Sequence, residues 1–216
     1  MNRNFKRYLF TGCALLLCFI VWTYLVQCID VKTIGESMTN VGFASLNQWF
    51  HLLTGVHMSV YVLTDWLSLI PAGICIIFAF IGLNQLIKRK SLLKVDHDIL
   101  MLGIYYMIVI GIYLFFEMFP INYRPILIEG VVEASYPSST TLLVLSVMLT
   151  LLFQLKRRMK DSVAKQILFY LNVVFAIVMV IGRTMSGVHW ISDIVGSLMI
   201  SFGLYYLYKG LVLMFD

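Results

Sequence analysis

The chain has 216 residues, of which 61% are hydrophobic and 12% are charged, and its mean hydropathy is +0.90. A single soluble domain of this length cannot bury so much apolar surface, so the composition excludes an ordinary soluble protein and indicates lipid as the main solvent. The net charge of +5 does not indicate binding to nucleic acid, because the Lys and Arg residues form short clusters beside apolar segments.

The first apolar segment runs from about Tyr8 to Val26. It is too long for the apolar region of a signal peptide and lacks an A-x-A cleavage site, so we predict a retained transmembrane helix. Five further segments approach the roughly 20 residues that a helix needs to cross a bilayer. They are Asp65–Ile87, Ile99–Phe119, Pro137–Leu155, Lys165–Ile181 and His189–Lys209. The sequence therefore predicts an all-α integral membrane protein, a single domain over residues 1–216 with six transmembrane helices.

Basic residues cluster beside three of these segments, and the positive-inside rule places such clusters in the cytoplasm. The clusters are Arg3/Lys6/Arg7, Lys88/Arg89/Lys90/Lys94 and Lys156/Arg157/Arg158/Lys160. This orientation puts both chain termini in the cytoplasm and the connections Gln27–Thr64, Pro120–Tyr136 and Gly182–Val188 outside. A bacterial plasma membrane is the expected location.

The first outer connection carries the run 41–53, VGFASLNQWFHLL, with apolar residues at helical spacing. This pattern predicts an amphipathic helix lying in the membrane interface. Trp49, Trp66 and Trp190 fall near predicted outer boundaries, where an indole ring sits well among headgroups, so we interpret all three as anchors. No Asp, His or Cys cluster has a spacing typical of metal ligands, so we expect neither a metal nor another cofactor.

Seven ionisable side chains of the second half fall on the outer side, where they are costly unless they have a function. They are Glu117, Arg124, Glu129, Glu133, Arg183, His189 and Asp193. His189 and Asp193 are four residues apart at the start of the last segment, on one helix face. Asp193 can therefore accept a hydrogen bond from one imidazole nitrogen and leave the other as nucleophile or base.

Two arginines and a helix start complete a candidate anion site. Arg183 precedes His189 by six residues and Arg124 lies in the second outer connection, so two guanidinium groups can bracket one anion. The run 137–141, PSSTT, opens the fourth segment, where the free backbone N–H groups of a helix N-terminus can bind an anion. Each feature in isolation has an ordinary interpretation, namely a helix cap for the run and a snorkelling side chain for Arg124.

Together these residues resemble the signature of the type 2 phosphatidic acid phosphatase superfamily. That signature has three parts: Lys-x6-Arg-Pro, Pro-Ser-Gly-His and Ser-Arg-x5-His-x3-Asp. The third part is matched from Gly182 to Asp193 with its spacing intact, and only the leading serine is replaced, by Gly182. The likeness spans Glu117 to Asp193, and a phosphatase-like core is expected over about residues 99–210.

The resemblance implies a metal-independent lipid phosphatase that needs no cofactor. In it, His189 attacks phosphorus to form a phosphohistidine and Asp193 orients His189, while Arg124 and Arg183 hold the phosphoryl oxygens. The remaining phosphate-binding residues that it implies are Ser138, Ser139 and Thr140.

Two positions depart from the family pattern, since Glu117 stands at the first lysine and Thr140 at the second histidine, which protonates the leaving group. Loss of a general acid costs about 10²–10⁴ in rate. That loss matters less for a diphosphate, because a departing phosphomonoester has a second pKa of about 6 and an alkoxide is nearer ~15.7. We therefore hypothesise that a polyprenyl diphosphate suits the site better than phosphatidic acid. Alternatively Glu133 or Glu117, kept protonated by an apolar setting, supplies the proton.

Two other functions stay open. A headgroup phosphotransferase would pass the group to an alcohol instead of water. A phospholipid-binding or transport protein on the same fold would have reduced or no turnover, because Glu117 repels a phosphate dianion unless Arg124 pairs with it. In every case a phosphorylated lipid and the lipid bilayer are the expected partners.

Overall fold

The computed structural model describes residues 4–36 and 38–215. Within these residues the chain forms eight α-helices, a two-stranded antiparallel hairpin and one 3₁₀ turn. The elements are α1 (Phe5–Cys28), β1 (Lys32–Ile34), β2 (Thr39–Val41), α2 (Ala44–Thr54), α3 (Met58–Leu67), α4 (Leu69–Arg89), the 3₁₀ turn (Leu92–Lys94), α5 (His97–Met118), α6 (Ser139–Arg158), α7 (Val163–Met185) and α8 (Ile191–Phe215).

Six helical stretches in the described part of the chain are long and apolar enough to cross a bilayer, which confirms the predicted number. The second joins α3 to α4 in one 32-residue run from Met58 to Arg89, so it begins before the predicted Asp65. At the join, the backbone N–H of Ser68 donates to the carbonyl of Thr64 over 3.1 Å. The outer part of this run is helical although it is less apolar, because α3 packs against α7.

Helices α1 and α8 form the most closely packed pair of the bundle. Along α1 and α8, glycines stand where the other helix comes closest: a Cβ at Gly12 would lie 2.8 Å from the backbone nitrogen of Leu207, and one at Gly203 would lie 2.8 Å from the Leu16 side chain. Small residues allow such close approach between membrane helices. The most enclosed span is α6, with 61% of its apolar window buried inside the protein against 11% for α7.

At the end of the bundle where α1 ends and α3 begins, the predicted amphipathic helix is confirmed as α2. Trp49, Leu52 and Leu53 are exposed on one face of it, whereas Asn47 is fully buried. The Asn47 side-chain amide donates to the backbone carbonyl of Gly42 over 2.8 Å. The Asn47 amide also donates to Ser192 Oγ over 2.9 Å, and its oxygen accepts from the Ser192 backbone N–H over 3.1 Å, so Asn47 ties α2 to α8 while Trp49, Leu52 and Leu53 face outward.

The interpretation of Trp190 as a membrane anchor is wrong. Its side chain is 2% exposed, and its indole N–H donates to the backbone carbonyl of Tyr123 over 2.8 Å. The outer segment 119–138 covers it, so the ring is enclosed by protein. Trp49 and Trp66, at 60% and 69% exposure, are accessible as anchors should be.

At the opposite end of the bundle, the basic clusters form ion pairs with the start of α5. Arg89 contacts Asp96 over 2.7 Å, and Arg158 contacts Asp98 over 2.7 Å. These pairs join the connection between α4 and α5 to the end of α6. Arg3, which belongs to the first predicted cluster, lies outside the described residues.

Candidate active site

A cavity of about 490 Å³ lies where α5 ends, α6 begins and the outer segment 119–138 folds over them. Five of the predicted site residues line it, namely Glu117, Arg124, Glu133, Ser139 and His189. The other predicted residues are buried and do not line the cavity: Ser138, Thr140, Arg183 and Asp193. The structure therefore brings together the nucleophile candidate, one arginine and both proton-donor candidates.

His189 lies two residues before α8 and is 4% exposed. Its Nδ1 lies 3.1 Å from the backbone carbonyl oxygen of Ser135. A carbonyl oxygen only accepts, so Nδ1 carries the proton and Nε2 keeps a lone pair. Among the described residues Nε2 has no hydrogen-bond partner. The imidazole is thus fixed in one tautomer, with an uncommitted nitrogen in a cavity wall.

Asp193 does not make the predicted hydrogen bond to His189, because its nearer oxygen is 3.9 Å from Nδ1. Its oxygens instead accept from the side-chain amide of Asn122 over 3.0 Å and from the backbone N–H of Trp190 over 3.0 Å. The hydrogen bond of His189 Nδ1 is accepted by the backbone carbonyl of Ser135 and not by the Asp193 carboxylate. Asp193 therefore joins the turn before α8 to the outer segment instead of bonding His189 directly.

The electrostatic environment keeps His189 neutral. Burial lowers the pKa of His189 well below its ordinary 6.5, and the positive charges of Arg183 and Arg124 lower this pKa further. The hydrogen bond to Ser135 opposes these effects only in part. A neutral imidazole at pH 7 is the form that can act as a nucleophile.

The two arginines are held differently. Arg124 Nη2 lies 3.1 Å from the Glu133 carboxylate, on the cavity wall. Arg183 was expected just past a helix but lies in the last turn of α7, where it is 1% exposed. Arg183 is outside the wall, and its positive charge lowers the pKa of His189. Both guanidinium groups contact the ring of Tyr61, a residue that the motif analysis missed.

Of Ser138, Ser139 and Thr140, the three residues predicted to bind phosphate at the start of α6, only Ser139 lines the cavity. The hydroxyl of Ser138 donates to Thr141 Oγ1 over 3.0 Å, and Ser138 is fully buried. Thr140 is also buried and does not line the cavity. The helix start therefore presents fewer groups than predicted, because consecutive helical residues point in different directions and only one of these three can face the cavity.

Asn122 and Ser135 are the other residues that sequence reasoning missed. Asn122 is 1% exposed and Ser135 is 2% exposed, unusual for polar residues of an outer connection. No motif contains them, and Ser135 acts through its backbone carbonyl, which every residue type has. The one feature that could have identified Asn122 as a site residue is its burial within a polar connection. Burial is not visible in the sequence.

The fold and this site define an integral membrane protein with a buried histidine and a buried arginine in the wall of one cavity. The model of the PAP2 superfamily matches residues 69–215, and the chain belongs to that superfamily. No curated protein matches the sequence. The fold is similar to the crystal structure of the first transmembrane PAP2-type phosphatidylglycerolphosphate phosphatase from Bacillus subtilis, with a TM-score of 0.61 and 18% identity over 96% of this chain and 98% of that chain. Family membership supports a membrane-bound lipid phosphatase.

Proposed function

We propose that this protein is a metal-independent lipid phosphatase that uses His189 as its nucleophile. The observation that carries the proposal is the orientation of His189: Nδ1 is bonded to the Ser135 carbonyl, so Nε2 is the nitrogen available in the cavity wall. The low pKa of His189 supports the same role, because it keeps Nε2 unprotonated at neutral pH.

In the first step, Nε2 forms a bond to phosphorus and the bond from phosphorus to the leaving oxygen breaks. The resulting phosphohistidine is positively charged at the ring, and the Asp193 carboxylate, 3.9 Å from Nδ1, offsets that charge. Arg124 and Arg183 stabilise the phosphoryl oxygens in the transition state. In the second step, water attacks phosphorus, inorganic phosphate leaves, and Nε2 regains its lone pair.

Glu117 is the proton donor that we favour for the leaving group. Glu133 contacts Arg124 over 3.1 Å, so its carboxyl group is engaged in holding that arginine. Glu117 lines the cavity from the last turn of α5, next to apolar residues of the span. A diphosphate needs this proton less than a phosphomonoester does, so a polyprenyl diphosphate is the proposed preferred substrate.

The proposed site faces the extracytoplasmic side, and the substrate enters from the bilayer. Two observations support this: the cavity lies at the end of the bundle opposite the basic clusters, and its wall includes Tyr113 and Phe116 of the membrane-spanning α5. Tyr113 is 40% exposed on the outside of the bundle. A lipid can therefore keep its chains beside α5 while its headgroup reaches His189.

The test is phosphate release by the purified protein in detergent with EDTA present. Polyprenyl diphosphate, phosphatidic acid and phosphatidylglycerolphosphate, the last named for the structural neighbour, are compared in the parent and in His189→Ala. Release that requires His189, resists EDTA and is fastest for the diphosphate is the expected result. Equal release from all three lipids would refute the substrate preference, and EDTA-sensitive release would refute the metal-independent mechanism.

A binding protein with little turnover is the second candidate. Glu117 places a carboxylate in the wall where the family has lysine, and Thr140 is buried away from the cavity. Tight binding of these lipids without any His189-dependent release would favour this candidate. Phosphotransfer is separated from hydrolysis by adding a lipid alcohol and analysing the products.

A further inference from the structure

The outer helix α3 contacts both arginines of the candidate site. The guanidinium carbon of Arg183 lies 4.7 Å from the centre of the Tyr61 ring, and that of Arg124 lies 5.6 Å from it. A cation within about 6 Å of an aromatic ring is attracted by the negative potential of the ring face. One tyrosine therefore contacts both of the positive groups that are proposed to hold phosphate.

Polar atoms of α3 also hold Arg183. Its Nη1 lies 3.3 Å from Thr64 Oγ1 and 3.5 Å from the backbone carbonyl oxygen of Tyr61. The Thr64 hydroxyl donates to carbonyl oxygens of its own helix, so its oxygen accepts from Arg183. Among the described residues the buried Nε of Arg183 has no hydrogen-bond partner. One edge of the guanidinium group is thus committed to α3, whereas its Nε is left without a partner among the described residues.

The approach of α3 depends on Gly182, the residue that stands where the family signature has serine. A Cβ at Gly182 would lie 2.9 Å from Thr64 Cγ2 and 3.7 Å from Val60 Cγ1. The first distance is shorter than any ordinary carbon–carbon contact, so a serine here would push α3 away. The close contact between α3 and α7 is therefore found with a glycine at position 182, where the family signature has serine.

We propose that α3 is a positioning element for phosphate binding, in which Tyr61 and Thr64 hold Arg183 and Arg124 in place of the serine absent at Gly182. This inference rests on the proposed function. Two guanidinium groups that contact the same ring repel each other, and the π-face of Tyr61 offsets part of that repulsion. The residues matched by the family model begin at 69, so this element precedes the matched part of the chain.

The experiment measures the dissociation constant of orthovanadate, a phosphate analogue, by calorimetry on the full-length protein in EDTA-free detergent buffer. Tyr61→Leu removes the aromatic face and is expected to weaken binding about tenfold. Tyr61→Phe keeps the ring and is expected to bind like the parent. Leu63→Ala is the matched control, because Leu63 lies on the same helix with its side chain exposed to the outside of the bundle.

Equal vanadate affinity of Tyr61→Leu and Tyr61→Phe overturns the proposal, as does an equal loss in Leu63→Ala. Gly182→Ser tests the same contact from α7 and is expected to weaken binding, with Gly73→Ser as the control at an uncrowded glycine. Unchanged or tighter binding in Gly182→Ser also overturns the proposal. This variant decides the question if Tyr61→Leu does not fold.

Kinetics combined with melting temperatures distinguish a role of Tyr61 in positioning the two arginines from a general role in stabilising the fold. Tyr61→Leu is expected to raise the KM for the lipid while its melting temperature stays near that of Tyr61→Phe. Vanadate binding that depends on Tyr61, in a protein that releases no phosphate from any lipid, refutes the proposed activity and upholds the role of α3. His189-dependent release with equal KM in both Tyr61 variants refutes the role of α3 alone.

Discussion

The imidazole Nδ1 of His189 donates to the backbone carbonyl of Ser135 over 3.1 Å. This contact joins the turn before α8 to the outer segment before α6, two parts of the chain that are 54 residues apart. It selects the tautomer of the proposed nucleophile without using a carboxylate. The carboxylate of Asp193 is left to organise the turn itself, together with Asn122.

Asn122→Ala should lower kcat by about tenfold with little change in KM. The buried Asp193 carboxylate loses a hydrogen bond of 3.0 Å, and the turn that carries His189 loses one of its links to the outer segment, whereas Asn122 is not part of the cavity wall. An unsatisfied buried group costs about 1–3 kcal/mol, so the melting temperature should fall as well. Steady-state kinetics and thermal unfolding check this. A rise in KM at unchanged kcat would contradict the indirect role.

The acid limb of the pH profile should lie below pH 6.5 in the parent and move to higher pH in Arg183→Gln. Protonation removes the lone pair of Nε2, so kcat/KM falls as the pH drops through the pKa of His189. The positive charge of Arg183 lowers this pKa, and its removal lets the pKa rise toward 6.5. The pH dependence of kcat/KM measures the shift. Arg7→Gln removes an equal charge at the other end of the bundle and should not change the pH at which kcat/KM falls.

Glu117→Gln should slow hydrolysis of phosphatidic acid by about 10²-fold and that of a polyprenyl diphosphate by less than ~10-fold. The amide cannot protonate a leaving group, and the alkoxide needs that proton far more than the departing phosphate does. Initial rates with both lipids check this difference. Glu129→Gln, the same change at an exposed residue outside the cavity wall, should affect neither lipid. Equal slowing of both lipids by Glu117→Gln would argue against a proton donor at this position.

Gly12→Val should destabilise the protein by about 1–3 kcal/mol, because the added side chain meets α8. Its Cβ would lie 2.8 Å from the backbone nitrogen of Leu207, which cannot move aside as a flexible side chain can. Gly73→Val makes the same change in α4, where no atom lies within 4 Å of the added Cβ, and should have little effect. Thermal unfolding in detergent compares the two variants. Equal melting temperatures would mean that α1 and α8 separate without cost.

The number of membrane spans and the third motif could be predicted from the sequence because both are local. A span depends on the summed hydropathy of about 20 neighbouring residues, and this sum survives small errors in helix ends. The order of Arg183, His189 and Asp193 is likewise a matter of spacing along a few turns. The amphipathic α2 belongs to the same class, since its pattern lies within one short segment.

The hydrogen-bond partners of the site were decided only by the tertiary structure. The sequence indicated Asp193 as the partner of His189, but the carbonyl of Ser135 is nearer and the Asp193 oxygens are bonded to Asn122 and Trp190. The same holds for Tyr61, whose contact with the two arginines depends on how closely α3 approaches α7. Hydropathy and spacing act along the chain, whereas a hydrogen bond depends on differences of less than 1 Å between segments that packing brings together.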